Sequence, residues 1–284
     1  MNRFIVCWLF LFVPGWLAAG EPAAKPFLVL SAGGHTGRIW DVIFSPEGKE
    51  LITVSYDKTI RIWNLENGSS YRTLRPPVGL GNEGRLVCAA LSPDGALLAV
   101  GGTGVADVKN SIYIISLISG EMKRVLRGHS ATLNSVAFSP DSKLLGSSAN
   151  DSTARIWDVA GGNCLHVLEG HKHVNVNAIA FSSDSRWVGT ACADKTARIW
   201  SAETGEEKVI LQHQGGVLWL AFAPDDSNVA TVAGHCVCLW SREGKFLKES
   251  DRKANLVYCA FTRDSKQILF VGSANGLYSQ PSQY

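Results

Sequence analysis

Three sets of residues in this chain have the types that nucleophilic catalysis uses: His35 with Thr53 and Asp57, His129 with Ser147 and Asp151, and His171 with Thr190 and Asp194. A hydroxyl activated by an imidazole that a carboxylate orients is the constellation of an acyl-transfer triad. An enzyme needs one such site, whereas near-identical sets at regular intervals follow from repeated architecture, so the three are read as structural and no catalytic residue is assigned. Metal chemistry has less to work with. In His171-Lys172-His173 the first histidine already belongs to its set, which leaves His173 alone. Cys236 and Cys238 share one strand face, but a second pair at zinc spacing is missing. Neither a metal nor another cofactor is expected. Asn67-Gly68-Ser69 and Asn150-Asp151-Ser152 match the glycosylation acceptor pattern and are read as turn residues.

The elements that carry these residues repeat. In Gly128 to Asp158, the run Val136-Ala137-Phe138 stops at Ser139-Pro140-Asp141, where proline removes a ladder donor and the sequence favours a turn. Leu144 to Ser148 reads as a second strand, the β-branched run into Trp157-Asp158 as a third, and Cys164 to Leu168 as a fourth. Such a unit cannot bury both faces of its sheet alone. Its anchors recur at Phe44, Leu91, Phe138, Phe181, Phe222 and Phe261, 39 to 47 residues apart. Six copies at that period predict an all-β chain, a β-propeller of six four-stranded blades.

The Gly-His and Trp-Asp signatures, complete at Gly128-His129 with Trp157-Asp158 and weaker at Trp63-Asn64, Trp200-Ser201 and Trp240-Ser241, resemble those of the WD-repeat β-propeller family. The resemblance covers nearly all of the chain after its first residues. It implies that a loop histidine, a strand hydroxyl, a turn aspartate and the tryptophan N–H form a hydrogen-bonded chain within a blade. The implied tetrads are His35, Thr53, Asp57 and Trp63; His129, Ser147, Asp151 and Trp157; and His171, Thr190, Asp194 and Trp200. The fifth unit keeps His213 and Trp240 but has Gly234 at the aspartate position. The second lacks Gly-His and has Ile115 in place of the tryptophan, and in the sixth Pro281 falls there by counting. The resemblance further implies that Phe27 to Leu30 close the ring by completing the sixth blade; seven blades fit if the chain is incomplete.

With 27 basic and 25 acidic residues the formal charge is +2, which supplies no field able to steer a polyanion, and nucleic acid is set aside as a partner. Arg3 is followed by the ten-residue apolar run FIVCWLFLFV and then by Ala18-Ala19-Gly20. This is the pattern of a secretory signal peptide over residues 1–20, with the propeller spanning 21–284 and export to the periplasm or medium implied. An uncleaved anchor is the alternative, because Trp16-Leu17 extends the apolar run; no later segment is long enough to span a membrane. Six cysteines follow the signal, set within expected strands; an even count permits disulfides, but buried free thiols are expected.

Two function classes fit. The leading one is a non-catalytic platform that binds a protein or peptide on one face of the propeller. The other is an exported propeller enzyme or small-ligand binder with a site at the central channel, for which a single unrepeated cluster of ionisable residues would be the sign. The second unit carries two long loops, Arg75 to Gly84 and Gly101 to Asn110. In a propeller both open on the same face, where long loops on a rigid scaffold favour recognition. On that face the strand positions present Arg38, Trp40 and Tyr56 from the first unit, Arg85 from the second, and Thr132, Asn134 and Asn150 from the third. Tryptophan, tyrosine and arginine often dominate binding energy. Partner identity and oligomeric state are not encoded in these patterns.

Overall fold

The computed structural model describes residues 34–76, 84–103, 110–172, 174–250, 256–272 and 276–282. Residues 1–33, which hold the signal pattern and the expected closing strand, lie outside that set, as do His173 and most of both long loops. Among the described residues there are only strands, and no helix is long and apolar enough to cross a membrane.

Each repeat folds as one antiparallel meander. The first sheet is β1 (Ile39–Phe44), β2 (Glu50–Ser55), β3 (Ile60–Asn64) and β4 (Ser70–Leu74). The second is β5 (Leu86–Leu91), β6 (Leu97–Gly102), β7 (Ile112–Ser116) and β8 (Met122–Leu126). Then come β9 (Leu133–Phe138), β10 (Leu144–Ala149), β11 (Ala154–Asp158) and β12 (Cys164–Leu168). The fourth sheet is β13 (Val176–Phe181), β14 (Trp187–Cys192), β15 (Thr196–Ser201) and β16 (Glu207–Gln212). The fifth is β17 (Val217–Phe222), β18 (Asn228–Ala233), β19 (Cys236–Ser241) and β20 (Phe246–Glu249). The sixth has three strands among the described residues, β21 (Leu256–Phe261), β22 (Gln267–Gly272) and β23 (Gly276–Pro281). Each repeat anchor is thus the last residue of its sheet's first strand.

What stops that strand is a recurrent turn. Ser139 Oγ accepts from Leu144 N at 2.9 Å, and Ser142 N donates to Ser139 O at 2.9 Å, which leaves Ser142 at φ 60. Gly48 and Gly95 fill the equivalent left-handed position without a side-chain penalty; Ser185, Asp226 and Ser265 fill it in the later sheets.

Burial explains why the sheets stack. The middle strands are buried on both faces, and the apolar cores lie between consecutive sheets. Ile52, Ile60 and Ile62 meet Leu86, Leu98 and Ile115 between the first two. Trp157 and Phe138 meet Ala99 and Ile114 between the second and third, and Trp240 meets Ile199 and Leu211 between the fourth and fifth. The first strands pack in sequence, β1 beside β5, then β9, β13, β17 and β21.

The sixth unit corrects the counting. Pro281 pairs with Gln267 as Asn64 pairs with Glu50, so Gln280, paired with Ile268, stands at the position tryptophan takes in the other units. The hairpins match in length, Val271 pairing with Leu277 as Val54 pairs with Ile60, so the indole position lies as far beyond the strand-end anchor in both units, from Phe44 to Trp63 and from Phe261 to Gln280. All six cysteines of the described residues are free; five are buried as expected, but Cys164, on the outer strand β12, is exposed.

Candidate functional site

In the first sheet, Trp63 Nε1 donates to Thr53 Oγ1 at 2.8 Å, while His35 Nε2 lies 2.7 Å from the same hydroxyl and His35 Nδ1 2.9 Å from Asp57 Oδ2. The network assigns the imidazole proton to Nδ1, so Thr53 donates to Nε2. The third sheet repeats this through Trp157, Ser147, His129 and Asp151 at 2.8 Å for each link, and the fourth through Trp200, Thr190, His171 and Asp194 at 2.8 to 3.0 Å. In the fifth, Trp240 and His213 meet at Thr231, and His213 Nδ1 donates to the Leu211 carbonyl at 3.0 Å in place of the missing aspartate. In the second sheet Val100 and Ile115 occupy the hydroxyl and indole positions; in the sixth, Phe270 occupies the hydroxyl position. Where the indole is lost, the buried hydroxyl is lost with it.

Two further members belong to these sets. Thr59, Thr153 and Thr196, each two residues after the aspartate, donate to its second oxygen at 2.6 to 2.7 Å; the signal was the repeated Asp-x-Thr spacing. The glycine before each histidine lies against the indole: a Cβ at Gly34 would sit 2.5 Å from Trp63 Cη2, and one at Gly170 would sit 3.0 Å from Trp200 Cη2.

The histidine links resemble those of a nucleophilic triad, but two features remove the chemistry. The Thr53, Ser147 and Thr190 residues are 0% exposed, and each hydroxyl already accepts an indole N–H. Electrostatics agree. Burial lowers the pKa of His35 and of His171, so both stay neutral. Burial pulls Asp57 and Asp194 upward, but hydrogen bonds from the threonine and histidine outweigh it and hold both carboxyls at about 2.

His171, Cys192 and Asp194 offer ligand atoms within 4.8 Å of one another. Both imidazole nitrogens are engaged within the set, and burial pushes the Cys192 thiol up to about 12. Cys192 does the work of Ser55 in the first sheet: each accepts the N–H of its turn aspartate. These residues do not fit a metal site.

The residues expected on the binding face fall into two groups. Arg38 lies over the Trp40 ring at 5.3 Å, Trp40 meets Tyr56 at 4.9 Å, and Arg85 lies over Tyr56 at 4.8 Å. Four side chains from two sheets therefore form one continuous stack. Arg38 is exposed and the other three are half-exposed; the indole Nε1 of Trp40 is buried without a hydrogen-bond partner among the described residues. Arg85 is carried by the foot of one long loop and fixed by the foot of the other. Arg85 N donates to Thr103 Oγ1 at 2.9 Å, and Thr103 N to Arg85 O at 3.0 Å.

Thr132, Asn134 and Asn150 form the second group. Asn150 N donates to Thr132 O at 2.9 Å, and Asn134 Nδ2 donates to Asn150 Oδ1 at 2.6 Å and to Val176 O, on the fourth sheet, at 2.9 Å. Asn134 is thus a stitch between sheets, a role shared by Asn177, which donates to Val217 O at 2.7 Å, and by Asp41, which accepts from Ala89 N at 2.9 Å. No local pattern marked Asn177 or Asp41. On the far side of the fold, Asp226 accepts from Ser183 N, Ser183 Oγ and Asp184 N at 2.7 to 3.0 Å and clamps the fifth sheet to the fourth.

Repeated four-stranded antiparallel sheets, each resting on the next, define a repeat protein of the propeller class, in which four sheets are pinned by an indole–hydroxyl–imidazole chain. The family model for the WD domain, G-beta repeat, matches residues 26–64, 120–158, 162–201 and 205–241, more than half of the chain, and the chain belongs to that family. Similar proteins include periodic tryptophan protein 2 of Arabidopsis thaliana, 30% identical over 44% of this chain and 13% of that protein. Nuclear distribution protein PAC1 of Arthroderma benhamiae is 33% identical over 50% of this chain and 32% of its own length. An uncharacterized WD repeat-containing protein of Synechocystis is 32% identical over 54% and 41%. The matches span less than half the length of each of these relatives.

Proposed function

We propose that the protein is a non-catalytic interaction platform, exported from the cytoplasm, that binds a protein or peptide partner on the face where Arg38, Trp40, Tyr56 and Arg85 stack. WD-repeat proteins bind protein partners, and the relatives named above are consistent with a scaffold. The observation that carries the proposal is the stack itself. Among the described residues the four-membered set is unrepeated; it is partly solvent-facing, built from the residue types that dominate binding energy, and seated beside the joined feet of the two long second-unit loops. Thr132, Asn134 and Asn150 of the third unit are included in the proposed face as further polar contacts.

The export component rests on residues 1–20, with the mature chain starting at Glu21. The ring is proposed to close as six blades, with Phe27 to Leu30 adding the outer strand to the three of the sixth sheet. The test is capture of partners by the processed protein from the exported fraction. Recovery should fall when either second-unit loop is shortened or when Trp40→Ala or Arg85→Ala is introduced into folded protein. Undiminished recovery from every variant would place recognition elsewhere, and an intact Met1 in an intracellular protein would remove the export component.

A further inference from the structure

We infer that Asn67 is a self-modifying residue: its side-chain amide converts without an enzyme to aspartate and isoaspartate, through a cyclic imide that Gly68 N closes and Ser69 promotes. The turn that carries it recurs. Gly68, Gly120, Gly162, Gly205 and Gly244 each stand at a positive φ, between 68 and 91, in the turn from the third to the fourth strand of their sheets. Each donates its N–H to the carbonyl of the last residue of the third strand at 2.8 to 2.9 Å. The residue before the glycine is Asn67 in the first sheet and Ser119, Gly161, Thr204 and Glu243 in the others, so one turn of the five offers an amide. It closes the end of β3 away from Tyr56, apart from the proposed recognition stack.

Two donors converge on the Asn67 side-chain carbonyl: Ser69 N at 2.9 Å and Ser69 Oγ at 2.7 Å, both to Oδ1. Donors at that distance stabilise the negative charge that grows on a carbonyl oxygen when a nucleophile adds. The nucleophile is the Gly68 nitrogen, the next main-chain atom after the Asn67 carbonyl carbon, so the ring closes within one residue pair. Glycine leaves that nitrogen without a neighbouring side chain, and residues 66–69 are all exposed to water. Hydroxide takes the Gly68 N–H proton, the nitrogen bonds to Asn67 Cγ, and the Cγ–Nδ2 bond breaks as Nδ2 takes a proton from water and leaves as ammonia. Water then opens the imide, at Cγ to give aspartate or at the main-chain carbonyl to give isoaspartate; nothing is oxidised or reduced. Because Gly68 N donates to Asn64 O at 2.9 Å, the turn must open at that bond before closure, which keeps the conversion slow. Asn134, Asn177 and Asn228 lie inside strands and precede residues that carry side chains.

The test incubates the full chain at neutral and at mildly alkaline pH in water enriched in heavy oxygen, and reads the peptides of a digest by mass spectrometry. The Asn67 peptide should gain the mass of the amide-to-acid change together with heavy oxygen, and should separate into two products. Conversion should be faster at the higher pH, because hydroxide is a reactant, and should precede that of every other asparagine among the described residues. Mapping separates it from Asn275, the other asparagine followed by glycine, which lies outside them. Ser69→Ala should slow conversion about threefold to tenfold, the worth of one hydrogen bond, while Ser69→Thr, which keeps the hydroxyl, should hold the rate. Thermal midpoints equal to that of the unaltered protein establish that both variants are folded. An Asn67 peptide that keeps its mass, a rate indifferent to pH, or another described asparagine converting first would overturn the assignment. Unchanged conversion in Ser69→Ala, or equal slowing in Ser69→Ala and Ser69→Thr, would overturn the part given to the hydroxyl.

Discussion

Trp157 donates its indole N–H to Ser147 Oγ at 2.8 Å, ten residues back in the chain and one strand away in the sheet, and both residues are at most 1% exposed. This single link joins the apolar core between the second and third sheets to the polar chain that runs on through His129 to Asp151. The link is worth more than its area, because without it the buried indole N–H would have no acceptor and Ser147 Oγ, which also donates to His129 Nε2, would lose its donor.

Trp157→Phe keeps most of the apolar bulk and removes the donor. A loss of about 1 to 3 kcal/mol is expected from the buried hydroxyl that loses its donor. Ile115→Val, at the equivalent place in the second sheet, removes one methyl beside Val100 and should cost less. Denaturant melts of the two variants compare the costs directly, and equal losses would contradict the distinction.

The Gly-His glycine is required by contact rather than by backbone conformation. Gly34→Ala forces a Cβ to within 2.5 Å of Trp63 Cη2, while a Cβ at Gly215 meets nothing within 4 Å. The first should destabilise by about 1 to 3 kcal/mol through overpacking, and Gly215→Ala should be close to neutral. Thermal midpoints that fall equally in both would show that the close approach to the indole does not matter.

Acid should destabilise the fold in two stages. His35, His171 and His213 have pKa values lowered by burial, so the unfolded chain takes up their protons first as pH falls below about 6.5, and stability declines from there. Asp57 and Asp194, held at about 2, add stability that is complete above the ordinary carboxylate range near 3.8 and is lost as pH falls toward 2. Urea midpoints should therefore be flat from pH 8 to 7 and drop steadily on acidification. A rise in stability between pH 7 and 5 would mean that the imidazoles are charged in the folded protein.

Asp226 occupies a left-handed position, φ 55, and uses both carboxylate oxygens on the turn of the preceding sheet. Asp226→Asn keeps the shape but replaces one acceptor with a donor, so about 1.5 to 3 kcal/mol should be lost. Hydrogen exchange at Ser183 N and Asp184 N should accelerate with it, and unchanged protection there would dissociate the clamp from the stability.

The fold was legible where it is local. Phe44, Leu91, Phe138, Phe181, Phe222 and Phe261 each precede a turn signal, and each ends a first strand. The polar sets were legible only because they recur, which also separated them from a catalytic triad. What joins one sheet to another was not legible: Asp41 to Ala89, Asn177 to Val217 and Asp226 to Ser183 are each more than 35 residues apart and depend on how sheets align. The same applies to the site. Arg38, Trp40, Tyr56 and Arg85 could be placed on one face from strand positions, but their order as one stack follows from the loop foot at Thr103 that sets Arg85 over Tyr56. Counting put the sixth tryptophan position at Pro281, one residue too far, although the spacing from Phe44 to Trp63 is the same as that from Phe261 to Gln280.

The central claim is that the buried sets hold the scaffold while the stack on the first two sheets does the recognising, and a paired comparison of Trp40→Ala with Trp200→Phe tests it most directly. Partner capture and thermal midpoint are measured for both. Trp40→Ala should lose capture with little change in midpoint, and Trp200→Phe, which deletes the N–H donated to Thr190, should lower the midpoint and keep capture below it. Capture that survives Trp40→Ala, or that falls in Trp200→Phe at temperatures where the protein remains folded, would contradict the account.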